Sequence, residues 1–209
     1  MEGLVFDREN HRYTLDGKKL PGVTTVLKPI STAFYRGVDP AVMEAAAILG
    51  QAVHKVIELD VLGQLDVDML DYRLLPYYRG WRNFLATSGF TPQLSEHQLA
   101  SHRYRYAGTL DLFGRLNGIR SLIDAKRVAM IAPSTGPQTF AYGDLVREAR
   151  PDLLPPDAQL RRYALQLKKP NRGQEVATWH LHPFTDDARD ARVWRSCLNI
   201  AHYLQDTAA

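Results

Sequence analysis

Cysteine is almost missing from this chain: Cys197 is the single one in 209 residues. An intramolecular disulfide is therefore ruled out, as is a zinc or iron–sulfur centre built on several thiolates. No apolar run approaches the roughly 18 residues of a membrane span. The first stretch, MEGLVFDREN, lacks the basic start and apolar core of a secretory leader, so the expected setting is cytoplasmic, with no membrane partner. Neither sign of charge dominates, with 26 Lys and Arg against 23 Asp and Glu. Internal repeats and low-complexity tracts are absent as well. What remains is an ordinary globular composition, 45% apolar and 23% charged, expected to form one domain over 1–209.

Charge is distributed unevenly. Arg103, Arg105, Arg115, Arg120, Lys126 and Arg127 crowd one stretch that also holds Asp111 and Asp124. A basic field beside carboxylates suits an anionic partner such as nucleic acid, although a solvated sheet face has the same composition. The surrounding pattern predicts a hairpin within 4–27 with Asp16-Gly17 at its turn, then a helix from about Pro40 to Gly63 and another ending at Gly89. Residues 93–126 alternate with a period near two, as strands do. A helix is expected over 157–168, a strand over EVATWHLHPF, and a last helix capped by Thr185 and running to about Leu204. The Pro-, Gly-, Ser- and Thr-rich stretch 129–156 reads as a mobile loop or lid. The order implies an α/β fold with a central mixed sheet flanked by helices.

Residues 106–127, YAGTLDLFGRLNGIRSLIDAKR, define the chemistry. Asn117-Gly118 is a two-residue hairpin signal. Pairing outward from it sets Leu116 opposite Ile119 and Asp111 opposite Asp124, on one face, with Cβ atoms roughly 4.5–5.5 Å apart. Leu112, Leu116, Ile119 and Ile123 then take the core face, and Lys126 returns to the aspartate face. A bulge at Gly114 would shift that register by one. Opposed carboxylates must share a proton, pair with a cation or hold a metal ion. Lys126 offers a simple salt bridge. Oxygen donors without thiolates otherwise favour Mg²⁺ or Mn²⁺, with lysine placed to orient a water or stabilise charge on phosphorus. Metal-assisted phosphodiester hydrolysis is the chemistry most in keeping with this set.

GTLD, followed thirteen residues later by the aspartate of LIDAK, resembles motifs II and III of the PD-(D/E)XK nuclease superfamily. The likeness is to its RecB-like branch, which includes phage-type exonucleases and the mitochondrial genome-maintenance exonuclease. GQAVHKVIE is similar to that branch's Gly-x-x-x-His helix, AQLRRYALQL to its Gln-x-x-x-Tyr helix, and LPGVTTVLK to an early Ser-Val-Thr-x-x-Leu stretch. The resemblance implies a restriction-endonuclease-like core with Asp111, Asp124 and the Ala125 carbonyl as metal ligands. It implies Lys126 as the catalytic lysine, His54 at or beside the metal, and Gln159 with Tyr163 orienting lysine and DNA. A small residue stands at 125, where relatives often carry a large one, and Arg127 stands where Thr or Ser is usual. The lack of cysteines excludes the iron–sulfur subgroup.

The other residues of the expected site have bland alternatives. His54 borders the apolar stripe Val53/Val56/Ile57, and Glu58, one turn on, could support it. Glu96 is either an acidic site residue or a solvated strand-edge glutamate. Gln138 and Tyr142 repeat the Gln-x-x-x-Tyr spacing inside the expected loop, making 159/163 the preferred pair. Arg103, Arg105 and Arg127 could contact phosphates, and Tyr104 and Tyr106 alternate with them as stacking residues or as an edge strand. His180 and His182 read as surface residues, and DDARDARVWR as the solvated start of the last helix. The expected activity is a Mg²⁺- or Mn²⁺-dependent DNA nuclease, an exonuclease acting on single- or double-stranded ends in phage or bacterial recombination or repair, with a repair partner conceivable. A structure-directed endonuclease and a non-catalytic DNA-binding module of the same fold are the alternatives.

Overall fold

The structure, a computed structural model, describes residues 3–7, 10 and 12–207. Strands β1 (Leu4–Asp7), β2 (Arg12–Leu15) and β3 (Lys18–Leu20) form an antiparallel meander. Helices α1 (Val23–Val26), α2 (Lys28–Phe34), α3 (Pro40–Val61) and α4 (Leu75–Ser88) follow. Then come β4 (Phe90–Ser101), β5 (Tyr106–Leu116), β6 (Ile119–Lys126), α5 (Thr135–Ala149), β7 (Arg161–Lys168), β8 (Thr178–Phe184) and α6 (Asp187–Thr207). The second sheet runs β4-β5-β6-β7-β8, with only β6 and β7 parallel. A parallel pair needs a crossover, and α5 supplies it. The fold is the expected mixed sheet with helices on both faces.

Several boundaries follow directly from local chemistry. Asp39 caps α3 by accepting from the Ala41 N–H at 2.7 Å, with Pro40 in the first turn. Gly89 ends α4 with φ 75°, a left-handed conformation that favours glycine. Asn117 and Gly118 have φ 50° and 81°, the two positive values that a type I′ turn demands. The β5–β6 register runs Leu116↔Ile119 to Leu112↔Ile123 as expected. Gly114 leaves it unshifted. The irregularity falls on β4, between Pro92 and Leu94, and a Cβ at Gly114 would sit 2.2 Å from the Thr91 carbonyl oxygen.

Two cores sandwich the sheet. Val53 and Ile57 of α3 and Tyr77, Trp81 and Phe84 of α4 pack on Leu112, Ile123, Leu165 and Leu167. On the opposite face, Ala141, Tyr142 and Leu145 of α5 and Trp194 of α6 cover Leu110, Phe113 and Leu122. Each fully buried Leu or Phe contributes about 1.5–3 kcal/mol, which fixes β5 and β6 between layers. The meander buries Tyr13, Leu15 and Leu20 against Ala100 and Ala107.

Five expectations give way. The hairpin within 4–27 is a three-stranded meander followed by α1, although its Asp16-Gly17 turn holds (φ 50° and 73°). The stretch 129–156 is not a loop or lid: α5 occupies its middle and is buried almost all round. Gly136 and Gly143 conceal it because close packing requires them. A Cβ would lie 2.7 Å from Asp190 Oδ1 at the first and 2.8 Å from Leu160 Cδ2 at the second. Pro137 sits in the first turn, where its missing N–H has no helical partner to lose. Within the helix expected over 157–168 lies β7, a strand buried on both faces whose sequence RRYALQLK has no strand-like alternation to read. Finally, the α6 cap is Asp186, whose Oδ1 accepts from the Arg189 N–H at 2.9 Å, and not Thr185. Nor is the start of α6 simply solvated, since Asp190 is buried and bonds Arg162 Nη2 at 2.9 Å.

Candidate active site

The site forms where β5 kinks. Tyr106 and Leu110 point to the α5 side, but Leu112 belongs to the α3/α4 core and Phe113 returns to α5, so alternation breaks at Asp111. Opposite, Ser95 pairs with Leu112 and His97 with Leu110, leaving Glu96 across from Asp111. Glu96 has φ 45°, a left-handed conformation that costs a non-glycine residue about 1–3 kcal/mol. The β5–β6 ladder stops one residue short of the aspartates. In place of a face-to-face carboxylate pair, Asp111 Oδ2 accepts the Ala125 N–H at 2.8 Å. A buried ladder pair would have set two like charges in contact; the kink provides one of them with a backbone donor instead.

Around this kink the structure gathers His54, Glu96, Asp111, Asp124, Ala125 and Lys126. His54 reaches in from α3, with Nδ1 3.0 Å from Glu96 Oε1 and 3.6 Å from Asp111 Oδ2, while Nε2 lies 2.9 Å from the Ala125 carbonyl oxygen. That carbonyl can only accept, so Nε2 carries a proton. Ligand atoms of His54, Glu96 and Asp111 lie within 4.8 Å of one another. Asp124 is 1% exposed; Lys126 Nζ approaches its Oδ2 at 2.7 Å, and Oδ1 has no partner among the described residues.

The charges push on one another strongly. Burial raises the Asp124 carboxyl, Asp111 adds to this, and Lys126 opposes it, for a value of about 6. Asp111 is also raised, by burial against the pull of His54 and Lys126. Burial would lower His54, but the Asp111 and Glu96 carboxylates more than reverse it and hold the imidazole at about 9. Lys126 likewise rises, burial being outweighed by Asp124 and Asp111, so it is an ammonium. These groups fit a divalent cation. The donors are mostly hard oxygens, and the buried Asp124 Oδ1, without a hydrogen bond, is an acceptor that a cation would satisfy.

Other expected site residues are placed differently. Gln159 is exposed ahead of β7, and Tyr163 packs with the α3/α4 core. Gln138 and Tyr142 are the pair that α5 brings in. Both are buried, and the Tyr142 hydroxyl is held well above its ordinary pKa by burial and then by the Asp111 and Asp124 charges. Gly108 of GTLD makes room for that ring, since a Cβ there would lie 2.7 Å from Tyr142 Cε1. Glu58 bonds Lys55 at 2.7 Å rather than His54. Arg127 lies next to the site, its Nε donating to the Tyr77 hydroxyl at 3.0 Å. Arg103 and Arg105 sit at the β4–β5 turn, away from the carboxylates. Tyr106 cannot stack on a base: it is fully buried and donates to the Ala141 carbonyl.

One further residue, Gln166, supports the site. Gln166, 3% exposed, lies in register with Lys126 and donates to the Val128 and Ala129 carbonyls at 2.8 and 2.9 Å. Its Oε1 accepts from His182 Nε2 at 2.9 Å, so His182 is tied into the sheet and is no free surface group. Together they pin the chain as it leaves Lys126. A glutamine between the two leucines of YALQL is the available signal.

No protein-family model and no curated protein matches the chain. Among solved structures it is similar to a "putative exonuclease" from Eubacterium rectale, at 12% identity and TM-score 0.44 over 72% of this chain and 64% of that one. It is also similar to an alkaline exonuclease (LHK-Exo) from Laribacter hongkongensis, at 11% identity and TM-score 0.38 over 90% and 92%. A third is SSO0001, at 15% identity and TM-score 0.35 over 86% and 75%. The chain thus spans less than two thirds of the Eubacterium rectale protein's length.

Proposed function

We propose that this protein is a divalent-metal-dependent DNA nuclease that hydrolyses phosphodiester bonds, with Mg²⁺ or Mn²⁺ as its ion and strand ends as its substrate. The observation that carries this reading is the buried Asp124, with Oδ1 unpartnered beside Asp111, the Ala125 carbonyl and His54. A salt-bridged structural hairpin would need only Asp124 and Lys126. It would explain neither the kink that adds Asp111 nor the strained Glu96 opposite it. Asp111, Asp124 and the Ala125 carbonyl would hold the ion, with Glu96 completing the set and His54, both of whose ring nitrogens are engaged, supporting it. The ion supplies Lewis-acid charge next to the scissile phosphate.

The protein's own groups have separable tasks. Lys126, as an ammonium, donates to the attacking water or to a phosphate oxygen, steadying charge that grows as the bond breaks. Asp124 holds that ammonium in place at 2.7 Å. Glu96 fixes the His54 ring from Nδ1 while Nε2 steadies the Ala125 carbonyl. Arg127, oriented by Tyr77, presents a guanidinium for the next phosphate, and Gln138 with Tyr142 lines the α5 side. A role in phage or bacterial recombination or repair in the cytoplasm is in keeping with an end-directed nuclease.

The test is a cleavage time course on end-labelled single- and double-stranded linear DNA and on a closed circle. It is run with Mg²⁺, with Mn²⁺ and with EDTA, beside Asp124→Asn. Metal-dependent loss of linear DNA with the circle spared, absent in the variant, is the expected result. Cutting of the circle would indicate an endonuclease, and binding without cleavage a DNA-binding module.

A further inference from the structure

Away from the carboxylates, a cleft of about 760 Å³ opens between β3, the β4–β5 turn and the end of α6. Lys18, Lys19, Arg105 and His202 line it, against one acidic residue, Asp206. Among the described residues neither lysine nor the arginine makes an ion pair, and Asp206 is the one carboxylate of the lining set against their charge. The wall is also built to stay where it is. Arg105 is held at φ 55°, in the left-handed region that disfavours a side chain. Its N–H donates to the Ser101 carbonyl at 3.0 Å, and its own carbonyl accepts from His202 Nε2 at 3.1 Å. One carboxylate of α5, Glu148, fastens the rest of the turn, accepting from Ser101 Oγ (2.6 Å), His102 N (2.7 Å) and Arg103 N (3.2 Å). Strain kept at a cationic residue on a cleft wall is the kind of outlier from which a functional role is inferred.

We infer that this cleft takes backbone phosphates of the same DNA strand whose end is hydrolysed at Asp111 and Asp124. This rests on the nuclease reading and adds a second point of contact to it. The two places are linked by β5: Arg105 immediately precedes it and Asp111 is six residues on, a backbone span of at most roughly 20 Å at 3.3 Å per residue. Successive phosphates of a strand are about 3.4 Å apart along a helix axis. In a duplex a strand must therefore extend about six nucleotides from the reacting bond to reach the cleft, and an extended single strand reaches it in fewer.

The test compares the wild-type chain with Lys18→Ala/Lys19→Ala and, separately, Arg105→Gly, which removes the cation while accepting the positive φ. Binding of a labelled single-stranded 20-mer DNA is followed by fluorescence anisotropy in EDTA across 50–300 mM KCl. For the 20-mer, the double variant is expected to lower affinity about tenfold and to reduce the slope of log K against log salt by about 1.4, two phosphate contacts at 0.7 each. Arg105→Gly is expected to reduce it by about half as much. An unchanged slope for the 20-mer, in a wild-type protein that cleaves DNA, would overturn the cleft assignment and leave the nuclease reading standing. A wild-type protein that neither binds nor cleaves DNA would remove the nuclease reading, and this inference with it.

Discussion

Asp124→Asn should make the metal-free protein more stable at neutral pH and leave it nearly unchanged in acid. The carboxyl is 1% exposed and its pKa lies at about 6, against an ordinary 3.8. A folded-state value above the unfolded one means that the fold favours the protonated form. That group's stability is present below pH 3.8 and is lost as pH rises through 6. A shift of about two units at 1.36 kcal/mol each gives a cost of about 3 kcal/mol once the group is ionised. Asparagine matches the neutral carboxyl in shape and carries no charge at any pH. The stability difference between variant and wild type should therefore grow by about 2–3 kcal/mol between pH 4 and pH 7. Urea unfolding in EDTA at half-unit pH steps measures it, and the difference between the two curves cancels the titrating groups that do not interact with Asp124. Parallel curves would refute the reasoning, since they would mean that Asp124 ionises in the fold as easily as in the unfolded chain. Repeating the series with Mg²⁺ at 100 times its dissociation constant should add about 2.7 kcal/mol to the wild type and little to the variant.

Lys126→Ala should lower cleavage about 100-fold or more while DNA binding in EDTA stays within a few-fold; equal cleavage would remove lysine from the chemistry. His54→Gln probes the opposite end of the pH scale. The imidazole pKa of about 9 lies above the ordinary 6.5, so its stabilising effect is complete below pH 6.5 and disappears as pH passes 9. The metal-free variant should fall about 3 kcal/mol below wild type at pH 6, with the gap closing by pH 10 in unfolding measurements. Gly108→Ala should cost about 1–3 kcal/mol by pushing on Tyr142, and Tyr142→Leu in the same chain should recover most of it; additive losses in that double-mutant cycle would refute the contact. Gln166→Met, similar in volume, leaves the Val128 and Ala129 carbonyls without their donor. It should cost about 1–3 kcal/mol and hasten amide exchange around residues 128–131.

The signals that survived folding unchanged are local ones. Asn117-Gly118 set the β5–β6 register because a type I′ turn needs two positive φ values and this dipeptide accepts them, so the approach of Asp111, Asp124 and Lys126 was legible from spacing alone. Pro40 after Asp39, and Gly89, marked helix ends for equally local reasons. Tertiary structure decided the rest. Whether RRYALQL is helix or strand depended on its having β6 on one side and β8 on the other. The helix of 135–149 was hidden by two glycines whose purpose, room for Asp190 and Leu160, exists only in the packed state. The same packing determined that Gln138 and Tyr142, rather than Gln159 and Tyr163, line the carboxylate side. Above all, the break of alternation at Asp111, with the left-handed Glu96 opposite, replaced a carboxylate pair by a carboxylate–backbone bond. A period-two pattern read from one strand cannot show that, because the kink arises from contact between two strands and two cores.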